Sequence, residues 1–253
     1  MDPVKKQALE RRAKHIRRKT LDLCLESKEG HIGGCFSETE ILISLYDLVL
    51  KPEDKFILSK GHACQTWYVL LREKDYNPKL AAHPDKDLEN GICCTTGSLG
   101  HGLPIGTGMA LARKIKEQKG KIYVLMGDGE CQEGTTWETI PITTKYKLDN
   151  LTVIIDNNKL QALEEIEKVS PMNLKNIFQS FECYVREING HDYEEIINAL
   201  EEKVYDKPKI IIANTIKGKG ISFMENNPMW HGRRPTPERL KPAYDELNKD
   251  NKK

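Results

Sequence analysis

KIYVLMGDGECQEGTTWETIPITTKYKLDNLTVIIDNN, residues 121–158, carries two short apolar runs rich in β-branched residues on either side of a helical pattern. The first run, Ile122–Met126, ends in Gly127-Asp128-Gly129-Glu130, and the second, Leu151–Ile155, ends in Asp156-Asn157-Asn158. Thr135–Tyr146 between them has the spacing of a helix, so the stretch predicts a strand–helix–strand unit with parallel strands. Ligands of open parallel sheets bind outside the carboxyl ends of the strands. Asp128 and Asn158 stand 30 residues apart, so on neighbouring strands they face one crevice. A carboxylate oxygen and an amide oxygen are hard ligands suited to Mg²⁺ or Ca²⁺. Two protein oxygens make an incomplete cage, and a phosphate-bearing ligand would have to complete it. Gly127 and Gly129 let backbone amides approach such a phosphate. Taken singly, GDG reads as a tight turn and DNN as an Asx turn closing a strand. Taken together at this spacing, they read as a site.

Outward from this unit the same alternation continues. Phe56–Leu58, Ile210–Ala213 and Cys183–Ile188 read as further strands, and Gly106–Glu117 and Tyr193–Val204 as further helices. The expected fold is α/β, a doubly wound, mostly parallel sheet with helices on both faces. Leu9, Ile16, Leu21, Cys24 and Leu25 mark an apolar stripe on a charged N-terminal helix from about residue 3 to 26. Ser37 followed by Glu40 reads as a capping box opening a helix over 37–50. No repeat and no Pro/Gly/Ser linker divides the chain. A single domain over 1–253 is expected, with a flexible tail after about 242.

The balance of 39 Lys and Arg against 38 Asp and Glu leaves a net charge of +1, which disfavours a nucleic-acid or anionic-membrane partner. With 38% hydrophobic and 30% charged residues the chain can build a core, so disordered and fibrous classes are excluded. No apolar run reaches the roughly 18 residues of a membrane span, and the N-terminus lacks the apolar stretch of a secretory signal. The seven cysteines form no CxxC pair, and an odd number points to reduced thiols and a cytoplasmic location.

Five histidines stand out: His31 in EGHIGG, His62 in SKGHA, His83 in AAHPD, His101 in GSLGHG and His231 in MWHGRRP. A single loop histidine reads as solvated surface; repetition in Gly-rich loops shifts the reading toward a site. No HExxH, zinc-finger, GxSxG, P-loop or GxGxxG pattern occurs. ESKEGHIGG, LSKGHA, TTGSLGHG, GDGECQEGTTWE, YKLDNLTVIIDNN and TIKGKGISFMEN…WHG together resemble, in order, the N-terminal, diphosphate-binding half of transketolase. The resemblance runs over residues 10 to 235.

That resemblance implies a thiamine diphosphate cofactor with Mg²⁺ or Ca²⁺. Asp128, Asn158 and the backbone carbonyl of Leu160 would hold the metal. His62, His231 and the Gly129 amide would contact the diphosphate, with Gly127 and Glu130 also in the cofactor site. Gly97 and Leu99 would meet the aminopyrimidine edge. His31, His62, His83 and His231 would line the funnel for substrate and move protons, with His101 as an additional imidazole. Glu133 and Glu138 match acidic residues at the family's subunit interface near the cofactor. The implied reaction moves a two-carbon ketol unit from a ketose phosphate to an aldose phosphate, as in the pentose phosphate pathway.

Three departures from the family pattern stand out. Ala162-Leu163-Glu164 replaces a common Ile-Asp-Gly, His101 stands where Gln is common, and Arg233 and Arg234 follow the WHG segment. The resemblance stops before the family's pyrimidine-binding domain. The chain is therefore expected to be the N-terminal subunit of a two-chain transketolase. It would pair with a C-terminal subunit in an α2β2 heterotetramer. Two other readings stay open: a transketolase-like acyloin or ketol transferase of specialised metabolism, and a non-catalytic regulatory relic of the fold.

Overall fold

The structure, a computed structural model, describes residues 1–162 and 164–249. Its centre is a five-stranded, all-parallel sheet: β1 (Lys55–Leu58), β2 (Ile122–Gly127), β3 (Leu151–Asn157), β4 (Tyr184–Asn189) and β5 (Lys209–Asn214), in the order β1-β2-β3-β5-β4. The helices are α1 (Pro3–Ser27), α2 (Ile32–Ser37), α3 (Thr39–Ile43), α4 (Cys64–Arg72), α5 (Gly102–Ile115), α6 (Gly134–Lys145), α7 (Ile166–Val169), α8 (Leu174–Ser180), α9 (Tyr193–Glu201) and α10 (Pro237–Asn248).

Strand residues alternate between two apolar layers, as the two-residue side-chain period requires. Phe56, Leu58, Tyr123, Leu125, Ile154 and Ile211 pack with side chains of α1, α3, α4 and α9. Ile57, Val124, Met126, Val153, Ile155, Ile210 and Ile212 pack with those of α5, α6 and α8 on the other face. Both faces are therefore covered, which is why these strands read as continuous apolar runs. Each fully buried Ile, Leu or Val in these layers stabilises by roughly 1.5–3 kcal/mol. The doubly wound parallel fold is as expected, and all five strands read from the sequence are present within a residue or two.

Two local expectations are corrected. Ser37 does not cap a helix: its hydroxyl donates to the Gly34 carbonyl at 3.0 Å and to Asp156 Oδ2 at 2.6 Å, while Glu40 pairs with Arg17. The chain is already helical from Ile32, and after α3 it continues as a π-helical turn over Ser44–Val49. Tertiary partners have taken both side chains of the box. The second correction concerns the C-terminus, where α10 occupies much of the segment read as a flexible tail. Ala243 and Leu247 are buried against Leu21, Cys24, Ile221 and Met224, and Tyr244 Oη donates to Asp22 at 2.5 Å. Pro237 in the first turn suits a helix start, because it has no N–H to leave unpaired. The charged end beyond residue 249 lies outside the described residues.

Candidate active site

The carboxyl ends of β2 and β3 lie side by side, with Gly127 paired in register to Asp156. Directly beyond them Asp128 and Asn158 line the same cleft of about 390 Å³. Backbone geometry holds each of these side chains. Asp128 Oδ1 accepts the Gly129 amide at 2.8 Å and Oδ2 the Lys159 amide at 2.5 Å, tying the β2 turn to the β3 turn. Asn158 Oδ1 accepts the Leu160 amide at 3.1 Å, and its Nδ2 donates to Asp156 Oδ2 at 3.3 Å.

Three imidazoles meet above this floor. The ring of His31 stands 5.1 Å from that of His62 and 5.0 Å from that of His231. His83, Gly97, Leu99, Glu133 and Leu160 complete the expected part of the lining. Gly97 has φ +128°, and a Cβ there would stand 2.7 Å from His83 Cδ2, so only glycine lets this loop pass so close to the ring. Burial lowers the pKa of all three meeting imidazoles: His31 with help from His83, His62 with help from Lys60, and His231, beside Lys217, down to about 3. They are neutral near pH 7, each able to donate from one nitrogen and accept at the other.

Glu130 also lines the cleft, and its carboxylate is fully engaged. It accepts the Gly100 amide at 2.8 Å, the Gly127 amide at 3.2 Å and the Ser59 hydroxyl. It therefore joins β1, the Gly97–Gly100 loop and the GDGE turn. His101 and Glu138 do not line the cleft. His101 is exposed at the start of α5, with Nδ1 3.1 Å from the Leu99 carbonyl, and Glu138 lies on α6. Ala162 lines the cleft, whereas Leu163 lies outside the described residues.

Sequence reasoning misses two lysines that line the cleft. Lys60, 2% exposed, donates to the Gly34 carbonyl at 3.1 Å and to Asp156, and stands 3.0 Å from Glu38. Lys217, also 2% exposed, donates to the carbonyls of Leu160 and Gln161, both at 2.9 Å, and to His231 Nδ1 at 2.8 Å. Burial lowers Lys217 to about 8. The two lysines belong to the SKGHA and TIKGKG motifs, but a lysine reads by default as solvated surface, which hides both. Gln132 and Gln161, joined at 2.5 Å, carry no sequence signal either; they latch the turn after β2 to the loop after β3.

The donor set fits a divalent cation bound together with a phosphate. Asp128 is pushed up to about 7, first by burial and then by the neighbouring Asp156. Such a carboxylate holds negative charge that a cation would relieve. Among the described residues no group of three or more His, Cys, Asp or Glu side chains is arranged to hold a metal, so anionic ligand oxygens would have to complete the shell.

An α/β domain with its cleft at the carboxyl ends of neighbouring parallel strands is of the kind that binds a small ligand there. Residues 8–245 match the family described as transketolase, thiamine diphosphate binding domain, and the chain belongs to that family. It is 40% identical to one of the subunits of apulose-4-phosphate transketolase from Actinobacillus succinogenes, over 94% of this chain and 95% of that one. It is 36% identical to the 6-deoxy-6-sulfo-D-fructose transketolase subunit SqwG of Clostridium sp. (strain MSTE9), covering 96% and 97% of the two chains. Among solved structures, transketolase from Leishmania mexicana superposes with a TM-score of 0.88 at 25% identity, and that from Campylobacter jejuni with 0.85 at 30%. This chain spans 42% and 43% of the length of those two transketolases.

Proposed function

We propose that this chain is the diphosphate-binding subunit of a split transketolase, moving a two-carbon ketol unit between a ketose phosphate and an aldose phosphate. The observation that carries the reading is the convergence of Asp128, Asn158 and Leu160 with His31, His62 and His231 on one cleft. Its full-length similarity to chains that are themselves named as transketolase subunits supports the division into two polypeptides. A C-terminal subunit would supply the pyrimidine-binding half, in a heterotetramer of two copies of each chain. The chain's reduced thiols suit the cytoplasm.

Asp128, Asn158 and the Leu160 carbonyl would hold Mg²⁺, and His62, His231, Lys217 and the Gly129 amide would hold the diphosphate. When bound, thiamine diphosphate supplies the carbon that accepts and releases the ketol unit. This chain's residues do the rest. Lys217 donates to His231 Nδ1, which leaves the proton of that neutral ring on Nε2, available to an anion. His31, which lines the cleft with its ring against those of His62 and His231, would serve a substrate hydroxyl. Glu130 and the Gln132–Gln161 pair fix the loops around the pocket.

The relatives are named for two different substrates, apulose 4-phosphate and 6-deoxy-6-sulfo-D-fructose, and what these share is an anionic group, a phosphate or a sulfonate. The substrate class proposed is therefore a ketose bearing such an anion. Calorimetry of thiamine diphosphate with Mg²⁺ tests the site. Asp128→Ala should remove most metal-dependent affinity, and Asn158→Ala less, because a neutral amide contributes less against the cation. Undiminished binding in Asp128→Ala would overturn the metal assignment.

A further inference from the structure

Arg17 of α1, Glu40 of α3 and His191, in the turn between β4 and α9, form a connected set of charged and polar groups outside the cleft. Arg17 Nη1 and Nη2 donate to the two Glu40 oxygens at 2.8 and 2.6 Å, and Nη2 also donates to the Phe36 carbonyl at 2.8 Å. Glu40 Oε2 lies 3.0 Å from His191 Nδ1. Burial would raise the Glu40 carboxyl, but the Arg17 guanidinium and the His191 bond outweigh it and hold it down to about 2. Glu40 is thus a carboxylate at neutral pH, and the proton it accepts is the one on Nδ1. His191 Nε2 is left as a lone pair, and it accepts the backbone N–H of Ile216 at 2.8 Å.

Ile216 immediately precedes Lys217, whose ammonium reaches Leu160, Gln161 and His231. The turn carrying both residues is held closely on each side. Gly190 packs so tightly on it that a Cβ there would stand 2.4 Å from Thr215 Cγ2, and the Gly218 amide donates to the Gly33 carbonyl at 3.0 Å. Sinking a charged pair and an imidazole beneath this turn is costly unless it fixes something, since apolar filling often serves a core as well. The same construction, a carboxylate setting the tautomer of a histidine that in turn fixes a ligand, recurs around metal sites.

We propose that His191 is a positioning residue for the diphosphate site: by accepting the Ile216 amide it sets where the Lys217 ammonium is delivered. This rests on the function proposed for the cleft. The test uses inorganic diphosphate with Mg²⁺ and calorimetry on the folded chain, with thermal midpoints recorded separately. Lys217→Ala serves as the reference. His191→Leu and His191→Ala remove the acceptor, the first while keeping volume, and His191→Gln keeps an acceptor and a donor.

Loss of the acceptor should weaken diphosphate binding by about tenfold or more, the usual effect of groups that orient a ligating residue. His191→Gln should recover most of that loss. In Lys217→Ala the His191 changes should cost nothing further, because both act through one ammonium. If Lys217→Ala weakens binding while both acceptor-free variants bind like the wild type, the His191 inference falls and the cleft reading stands. If Lys217→Ala itself binds like the wild type, the cleft reading falls and takes the inference with it. If His191→Gln folds and the two acceptor-free variants do not, His191 serves folding rather than positioning, which also overturns the inference.

Discussion

His31 and His83 enter the cleft from loops rather than strands, His83 beside Gly97, where only a glycine leaves room for the ring. Their expected work is on substrate. Alanine at either position should lower kcat/KM of the assembled enzyme by on the order of 10²-fold, the usual worth of a positioned acid or base, with cofactor affinity nearly unchanged. Steady-state kinetics beside cofactor titration checks this, and equal losses of affinity and turnover would place the two rings in the cofactor site. Glu40 yields a prediction about pH. Its carboxyl is held at about 2 in the fold against an ordinary 4.5. A depressed carboxylate contributes stability that is fully present above pH 4.5 and lost as the pH falls through 2. The contribution is on the order of 3 kcal/mol. Denaturant unfolding between about pH 2 and 6 should show this acid loss in the wild type and a much flatter profile in Glu40→Gln.

At the scale of elements, α10 shows how a charged sequence hides a packed helix. Only Ala243 and Leu247 of its residues are buried, so its apolar stripe is too thin to stand out from the lysines and glutamates around it. The stripe gains meaning only from what lies beneath it, the outer side of α1 and the segment through Ile221 and Met224. Leu247→Ala should therefore cost about 2–4 kcal/mol of unfolding free energy, as for other buried leucines truncated in a core. A frayed tail would lose nothing measurable, and chemical denaturation separates the two. α2 and α3 teach the complementary lesson. A Ser followed three residues later by Glu is a good start signal for an isolated helix, yet here a buried aspartate and a buried arginine bind those two side chains more strongly than backbone amides could.

For the molecule as a whole, the cleft's position decides how it works. It opens at the carboxyl ends of the strands, where its walls come from the segments following β1, β2, β3 and β5 together with His31 and Gly34 at the start of α2 and the Gly97–Leu99 loop before α5. Under the proposed function, the activating carboxylate for the cofactor comes from the C-terminal subunit. Glu133 lines the cleft beside the GDGE turn and Glu138 stands outside it, so neither is placed to act as that group by itself. The purified 253-residue chain with saturating thiamine diphosphate and Mg²⁺ should show negligible ketol transfer, restored once the complementary chain is added. Aldose-dependent ketose consumption, followed in a coupled assay, measures it, and sustained turnover by this chain alone would overturn the division of labour.

The alternation of apolar runs and helical patterns determined the parallel sheet by itself, because strands covered on both faces must be apolar throughout and each needs a crossover of helical length. The same local logic put Asp128 and Asn158 at strand ends and most of the histidines in glycine-rich loops; that His31, His62, His83 and His231 gather around one site was implied by the family resemblance, not by local pattern. Long-range partners were decided by the tertiary structure alone. Glu130 reads as part of a turn and proves to be a clamp across three segments; Asp156 reads as a strand end and proves to be the acceptor for Lys60, Ser37, Thr215 and Asn158. Lys60 and Lys217 carry no sign in the sequence that they are buried, nor His191 that it sits between Glu40 and the Ile216 amide, since a titratable side chain declares its role only through the charge it meets. That meeting joins residues up to 151 positions apart, from Glu40 to His191, and only the packed fold brings them together.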